Sequence, residues 1–176
     1  MIHLTNIAIW GFGATIILTI IMAASKPLGY TRMDLPFLLG TIFTANRNKA
    51  PFYGFLLHLC IGWIFAFIYA VAFTSAGLAT WWFGLSIGFI HGAFVLSGGL
   101  QIIAAFHPRM APPYQGPTPT RQLEPPGFFA LNYGGAAPLV TTLSHMVYGC
   151  VRGMFYSEHR LQRPWYPFGR CHSPNK

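Results

Sequence analysis

At 176 residues the chain has room for one domain. Its composition excludes a soluble one: hydrophobic residues make up 53% and charged residues only 8%, against roughly a quarter charged in an average soluble domain. Eleven basic and three acidic side chains give a net charge of +8, an excess that marks loops facing anionic headgroups rather than a nucleic-acid partner. Asp34, Glu124 and Glu158 lie far apart in sequence, which leaves neither a paired-carboxylate hydrolase nor an acidic calcium loop to look for.

The composition predicts an all-helical integral membrane bundle of four transmembrane helices, since a helical span takes about 20 apolar residues. The first span covers about 4–24 and stops before Lys26-Pro27. Its opening, Met-Ile-His-Leu-Thr-Asn, lacks the basic region of a cleavable signal and predicts a retained helix. The following connection contains an apolar piece, 35–45, too short to span. It is expected as a short interfacial helix lying flat on the membrane, with a dip into the bilayer as the alternative.

The second span, about 51–73, opens on Pro51, a helix-compatible first-turn residue. The brief connection after it makes the second and third spans antiparallel neighbours. The third, about 79–105, has no charge and exceeds the length a span needs, so it is expected to tilt or to break near Gly98-Gly99.

A long Pro-rich loop follows over 107–135, carrying Pro108, Pro112, Pro113, Pro117, Pro119, Pro125 and Pro126. It predicts an ordered cap or a partner-binding segment, with Tyr114, Phe128, Phe129 and Tyr133 as the apolar anchors a partner would bury. The fourth span runs over about 137–155, with Arg152 expected to snorkel outwards near its end. Trp81, Trp82, Tyr53 and Tyr156 fall near span ends, where amphipathic rings favour the interface. Residues 1–156 thus form one transmembrane domain, and 157–176 a basic C-terminal tail. The basic first connection places both termini on the non-cytoplasmic side.

Small residues recur every four positions on each span: Gly11, Thr15, Thr19 and Ala23; Gly54, Gly62, Ala66 and Ala70; Gly84, Gly88 and Gly92; Ala137, Thr141, Gly149 and Gly153. Lipid offers no hydrophobic force between helices, so close approach along small residues takes its place. These stripes predict the inward faces, or faces for a partner helix.

His58, His91 and His145 fall on the same stripes, one on each of the last three spans. Ionisable groups at membrane depth face the interior or a cavity. At 1.5 Å per residue, His58 and His145 are expected roughly 10–12 Å below one surface, and His91 about 10 Å deeper. Two of the three can then meet.

The plainest reading gives each imidazole a carbonyl or a Ser/Thr hydroxyl to bond. A bound cofactor — a metal, haem or (bacterio)chlorophyll held through histidine — and a proton path are the alternatives. Cys60 beside His58 and Cys150 beside His145 would suit a soft metal, although lone apolar cysteines are ordinarily packing. Hydrolase, phosphate-loop and dinucleotide fingerprints are absent from the sequence.

The segments LLGTIFTANRNKAPFYGFLLHLCIGWIFAFIYA and GPTPTRQLEPPGFFALNYGG resemble those of small polytopic bacterial inner-membrane proteins, a class without an assigned activity. The resemblance implies a membrane setting and membrane lipids as surroundings. The expectation for function is a non-catalytic accessory subunit of a larger membrane complex, respiratory or photosynthetic, with other membrane-protein subunits as partners. A histidine-ligated cofactor protein and a small transporter or channel are the alternatives.

Overall fold

The helices begin and end where the apolar runs do. The computed structural model describes residues 4–112 and 114–156; the 157–176 tail, with Glu158 and Cys171, lies outside them. Helix α1 spans Leu4–Ser25, α2 Leu35–Gly40, α3 Ala50–Ala76, α4 Trp81–Phe94, α5 Leu100–Phe106 and α6 Ala137–Phe155. Between α4 and α5 the helix continues as a π turn, Val95–Gly99, so the third apolar run is one helix and does not break at Gly98-Gly99. There the Leu100 N–H bonds the Val95 carbonyl five residues back. Gly77, in the left-handed region at φ 61, closes α3, and the Thr80 side chain caps α4 by accepting from the Phe83 N–H.

The chain is all-helical among the described residues, apart from an isolated bridge between Met110 and Leu123. Three helices are long and apolar enough to cross a membrane: α1, α3 and the continuous Trp81–Phe106 helix. Helix α6, at 19 residues, is not among them. It is long enough but too polar. It packs against α4 and, less extensively, α1, and it buries Thr141, Ser144, His145 and Arg152, which a lipid-facing helix would not carry.

The α4–α6 contact is backbone on backbone. A Cβ added at Gly84 would meet the Gly149 carbonyl, one at Gly88 the His145 carbonyl, one at Gly92 the Thr142 Cα, and one at Gly153 the Thr80 carbonyl. On the opposite side, Gly54 faces the Pro36 carbonyl of α2, and Gly62 faces the Thr15 side chain of α1. The α1 stripe drifts: Gly11, Thr15 and Thr19 are buried but Ala23 is exposed, its place taken by Met22 and Ser25, because 3.6 residues per turn does not hold a four-residue spacing.

The apolar piece after α1 differs from its expectation. Only Leu35–Gly40 is helical, capped by Asp34, and it buries Leu35, Leu38 and Leu39 against the start of α3 and the cavity described below. It is docked on the bundle.

The long loop folds back on this connector. Arg32 bonds Glu124 at 3.3 Å and also donates to the Asn132 carbonyl. Arg109 reaches the Thr41 carbonyl at 2.5 Å. The His107 Nε2–H donates to the Leu38 carbonyl at 3.0 Å, while its Nδ1 accepts from the Arg109 N–H at 3.1 Å. Burial lowers the His107 pKa below the ordinary value; the Leu38 bond opposes that and Arg109 adds to it.

Candidate functional site: a histidine-lined cavity in the bundle

The register of α4 on α6 is set by glycines, and it decides where the histidines meet. Gly92 faces Thr142, and Gly88 faces His145 and Met146, so His91 lies beside His145, with ring centroids 4.6 Å apart at 76°. This corrects the expected 10 Å difference in depth. The Trp81–Phe106 helix overhangs the start of α6, and its far end instead meets the loop, where Gln101 Nε2 donates to the Gly127 carbonyl at 2.6 Å. Helix ends do not share a plane, so counting from them misplaced His91.

All three histidines line one cavity of about 120 Å³. His58 enters from α3, and its Nδ1 lies 3.0 Å from Thr19 Oγ1. The Thr19 hydroxyl donates its single proton to the Thr15 carbonyl at 2.7 Å, so His58 Nδ1–H is the donor and Thr19 the acceptor. His145 Nδ1–H donates to the Thr141 carbonyl, one turn back, at 2.7 Å. Both rings are therefore held as tautomers with an unprotonated Nε2. Neither Nε2 has a hydrogen bond among the described residues.

His91 stacks on Phe65, with centroids 3.7 Å apart at 23°, and its Nδ1 lies 3.4 Å from the Tyr69 hydroxyl. The expectation that each imidazole finds a hydroxyl or a carbonyl thus describes one nitrogen of each ring.

Below the histidines, away from the cap, α6 stands off from α3 and bridges the gap with long side chains. Tyr148 Oη donates to the Gly62 carbonyl at 2.7 Å, Arg152 Nη2 to that of Ala66 at 3.3 Å, and Tyr156 Oη to that of Ala70 at 3.4 Å. Residues spaced by four on one helix thus meet small residues spaced by four on the other. Arg152 is fully buried, which corrects the snorkelling expected of it. Its Nη1 reaches the Asn6 carbonyl at 3.4 Å, and its Nε has no partner among the described residues. Tyr156 is likewise buried, with Thr74 Oγ1 at 2.8 Å, and is not an interface anchor.

Tyr148, Arg152 and Tyr156 thus carry a line of bonded polar side chains from the cavity towards that end. At the other end the cavity wall is apolar, formed by Met22, Met33, Leu35, Leu39 and Ile103.

The cofactors considered from sequence do not fit this geometry. Among the described residues no three His, Cys, Asp or Glu side chains converge as a metal-binding set. Cys60, two residues from His58, is exposed on the opposite face of α3, and Cys150 is half-buried. A cavity of about 120 Å³ is no larger than those that admit benzene, at roughly 150 Å³, and is too small for a porphyrin or chlorin ring.

Sequence reasoning missed Tyr69 and Tyr148 as lining or bridging groups, while Thr141 lies inward as its stripe predicts. The available signal was Tyr148-x-x-x-Arg152-x-x-x-Tyr156, a polar line on an otherwise small-residue helix.

Of the loop anchors, Tyr114 is fully exposed and Phe128 is 77% exposed. Phe129 is half-buried and packs on Phe128 with centroids 4.5 Å apart. Tyr133 is a correction: it is buried, and its hydroxyl donates to the Glu124 carbonyl at 2.8 Å, so it pins the loop internally. Burial, and then Glu124, push its pKa up. Compared with known proteins, the chain matches no family model, no curated protein and no solved structure.

Proposed function

We propose that the chain is a non-catalytic accessory subunit of a larger complex in the bacterial inner membrane, respiratory or photosynthetic, docking through its long loop. On this reading α6 is a fourth span sheltered by the other three. Both termini then face the non-cytoplasmic side, and membrane lipids and neighbouring subunits surround the bundle.

The observation that supports it is the turn at Phe128–Tyr133. Phe129 (φ 52) and Ala130 (φ 60) both occupy the left-handed region, which costs a residue with a side chain about 1–2 kcal/mol. The surroundings hold that strain in place. Asn132 Nδ2 bonds the Pro125 carbonyl at 3.0 Å, the Asn132 N–H bonds that of Pro126 at 3.2 Å, and Arg32 N–H bonds that of Tyr133 at 2.6 Å. What the strained turn presents is Phe128, an exposed aromatic side chain. Strained backbone persists where its surroundings over-determine it, and such places cluster at functional contacts.

The test is native-gel migration after mild detergent extraction, with identification of what co-migrates. The reading expects the wild-type chain in a large assembly, and release as a folded 19.5 kDa chain on Phe128→Ser. Migration of the wild type alone, or undiminished association of the variant, would overturn it.

A further inference from the structure

The polar groups around the histidine cavity can be accounted for one by one. The Thr15 hydroxyl is spent on the Gly11 carbonyl at 2.7 Å, and that of Tyr148 on the Gly62 carbonyl. The Nδ1 protons of His58 and His145 are spent on Thr19 Oγ1 and the Thr141 carbonyl. Four groups remain: the Nε2 lone pairs of His58 and His145, the Nε2 of His91, whose other nitrogen faces the Tyr69 hydroxyl, and the hydroxyl of Thr141. That hydroxyl belongs to a fully buried residue lining the cavity and has no partner among the described residues. A buried hydroxyl left unpaired loses the hydrogen bonds it would make in water and gains none in return. Thr141 therefore supplies a free energy that a correctly placed ligand atom would recover.

The rest of the cavity specifies the ligand. Its remaining wall is almost wholly hydrocarbon, from Leu18, Met22, Leu39, Val95 and Ile103, with the Phe65 ring alongside. Its volume of about 120 Å³ is that of a single six-membered ring, by comparison with the roughly 150 Å³ apolar cavity that takes benzene. Purely apolar guests would leave Thr141 unpaired. Water would suit the polar end but has no partners along the hydrocarbon wall.

The π turn adds an independent indication. It places Val95 and Gly99 on the cavity wall, and such turns inside α-helices frequently mark functional sites.

We infer that this cavity binds a single aromatic ring bearing a hydroxyl group, the chemistry of a phenol or hydroquinone. The ligand hydroxyl donates to an imidazole Nε2 and accepts from the Thr141 hydroxyl, and the ring lies against the aliphatic side chains. Binding forms hydrogen bonds only, with no covalent or redox step.

The test uses the full chain in detergent micelles, with phenol as the probe and toluene as its apolar counterpart, read by titration of histidine ¹⁵N signals. Phenol should move the His58 and His145 Nε2 resonances, while toluene should leave them in place. Thr141→Val is nearly isosteric and removes a hydroxyl that bonds nothing among the described residues, so it should fold with unchanged or higher thermal stability. It should weaken phenol binding by about tenfold, the equivalent of one hydrogen bond, without altering toluene binding. His58→Leu should weaken phenol by a similar factor if it folds, and Thr141→Val carries the test if it does not. Phenol affinity unchanged in Thr141→Val, toluene binding as tightly as phenol with the same signals moving, or no response to phenol at all would each overturn the inference.

Discussion

Helix α6 meets its neighbours in two opposite ways. Towards α4 it presents Gly149 and Gly153, and the backbones touch. Towards α3 it presents Tyr148, Arg152 and Tyr156, whose long side chains hold the two helices apart while bonding the carbonyls of Gly62, Ala66 and Ala70. Both α4 and α3 carry a small-residue stripe. On α4 it permits close approach; on α3 it exposes carbonyl oxygens to polar side chains arriving from a distance and leaves room for a cavity. A small-residue stripe therefore identifies a buried helix face, while the residues opposite decide what that face does.

The largest effect should come from adding one methyl group to the close side of α6. At Gly149 a Cβ would fall on the carbonyl of Gly84, and neither backbone has space to yield. Gly149→Ala should cost about 3 kcal/mol or more, beyond the usual range for overpacking because backbone meets backbone. Thermal or denaturant unfolding in detergent checks this. A variant as stable as the wild type would show that the α4–α6 contact is looser than described.

On the standing-off side the expected effects are smaller and depend on what replaces the polar group. Arg152→Ala removes the bonds to Ala66 and Asn6 and leaves a void, for about 2 kcal/mol of destabilisation. Arg152→Met fills most of the void and removes a buried cation that has no carboxylate partner among the described residues. It should lie within about 1 kcal/mol of the wild type, or above it. The same unfolding measurement on the pair separates packing from charge; equal losses would mean that the guanidinium itself holds the helices together.

Tyr148→Phe isolates a single rung. The ring and its edge-on contact with Tyr69, with centroids 5.4 Å apart, remain, while the bond to Gly62 is lost. Because Gly62 lies within α3, its carbonyl keeps its intrahelical N–H, so no polar group is orphaned and the cost should be about 1 kcal/mol. A loss as large as that of Gly149→Ala would contradict the distinction between the two sides of α6.

Much of this arrangement was legible in the sequence, for identifiable reasons. Uninterrupted apolar runs locate α1, α3 and the Trp81–Phe106 helix, because lipid tolerates little else. The stripes locate the buried faces, because glycine and alanine have no other advantage within a span. The register between helices was not legible. His91 meets His145 because Gly88 and Gly92 dock on α6, a relation between two segments that counting along either one cannot supply. Nor were Arg152, Tyr133 and Tyr156 legible as buried groups, since arginine and tyrosine near a span end ordinarily face the headgroups. Only the carbonyls of α3 and the turns of the loop, known once the chain is folded, give those side chains an internal partner.

The smallest effect tests whether glycine as such, or its position, matters. Gly13 sits on α1 just past the buried Gly11, and a Cβ added there meets nothing within 4 Å among the described residues. Alanine relieves the backbone entropy that glycine imposes on a helix interior, worth up to about 1 kcal/mol. Gly13→Ala should therefore stabilise the protein slightly, whereas the same substitution at Gly149 should destabilise it strongly. Opposite signs at two glycines with the same helical backbone would assign the whole difference to what lies across the interface. Destabilisation at both would mean that the Gly13 face of α1 is covered in the membrane by another helix.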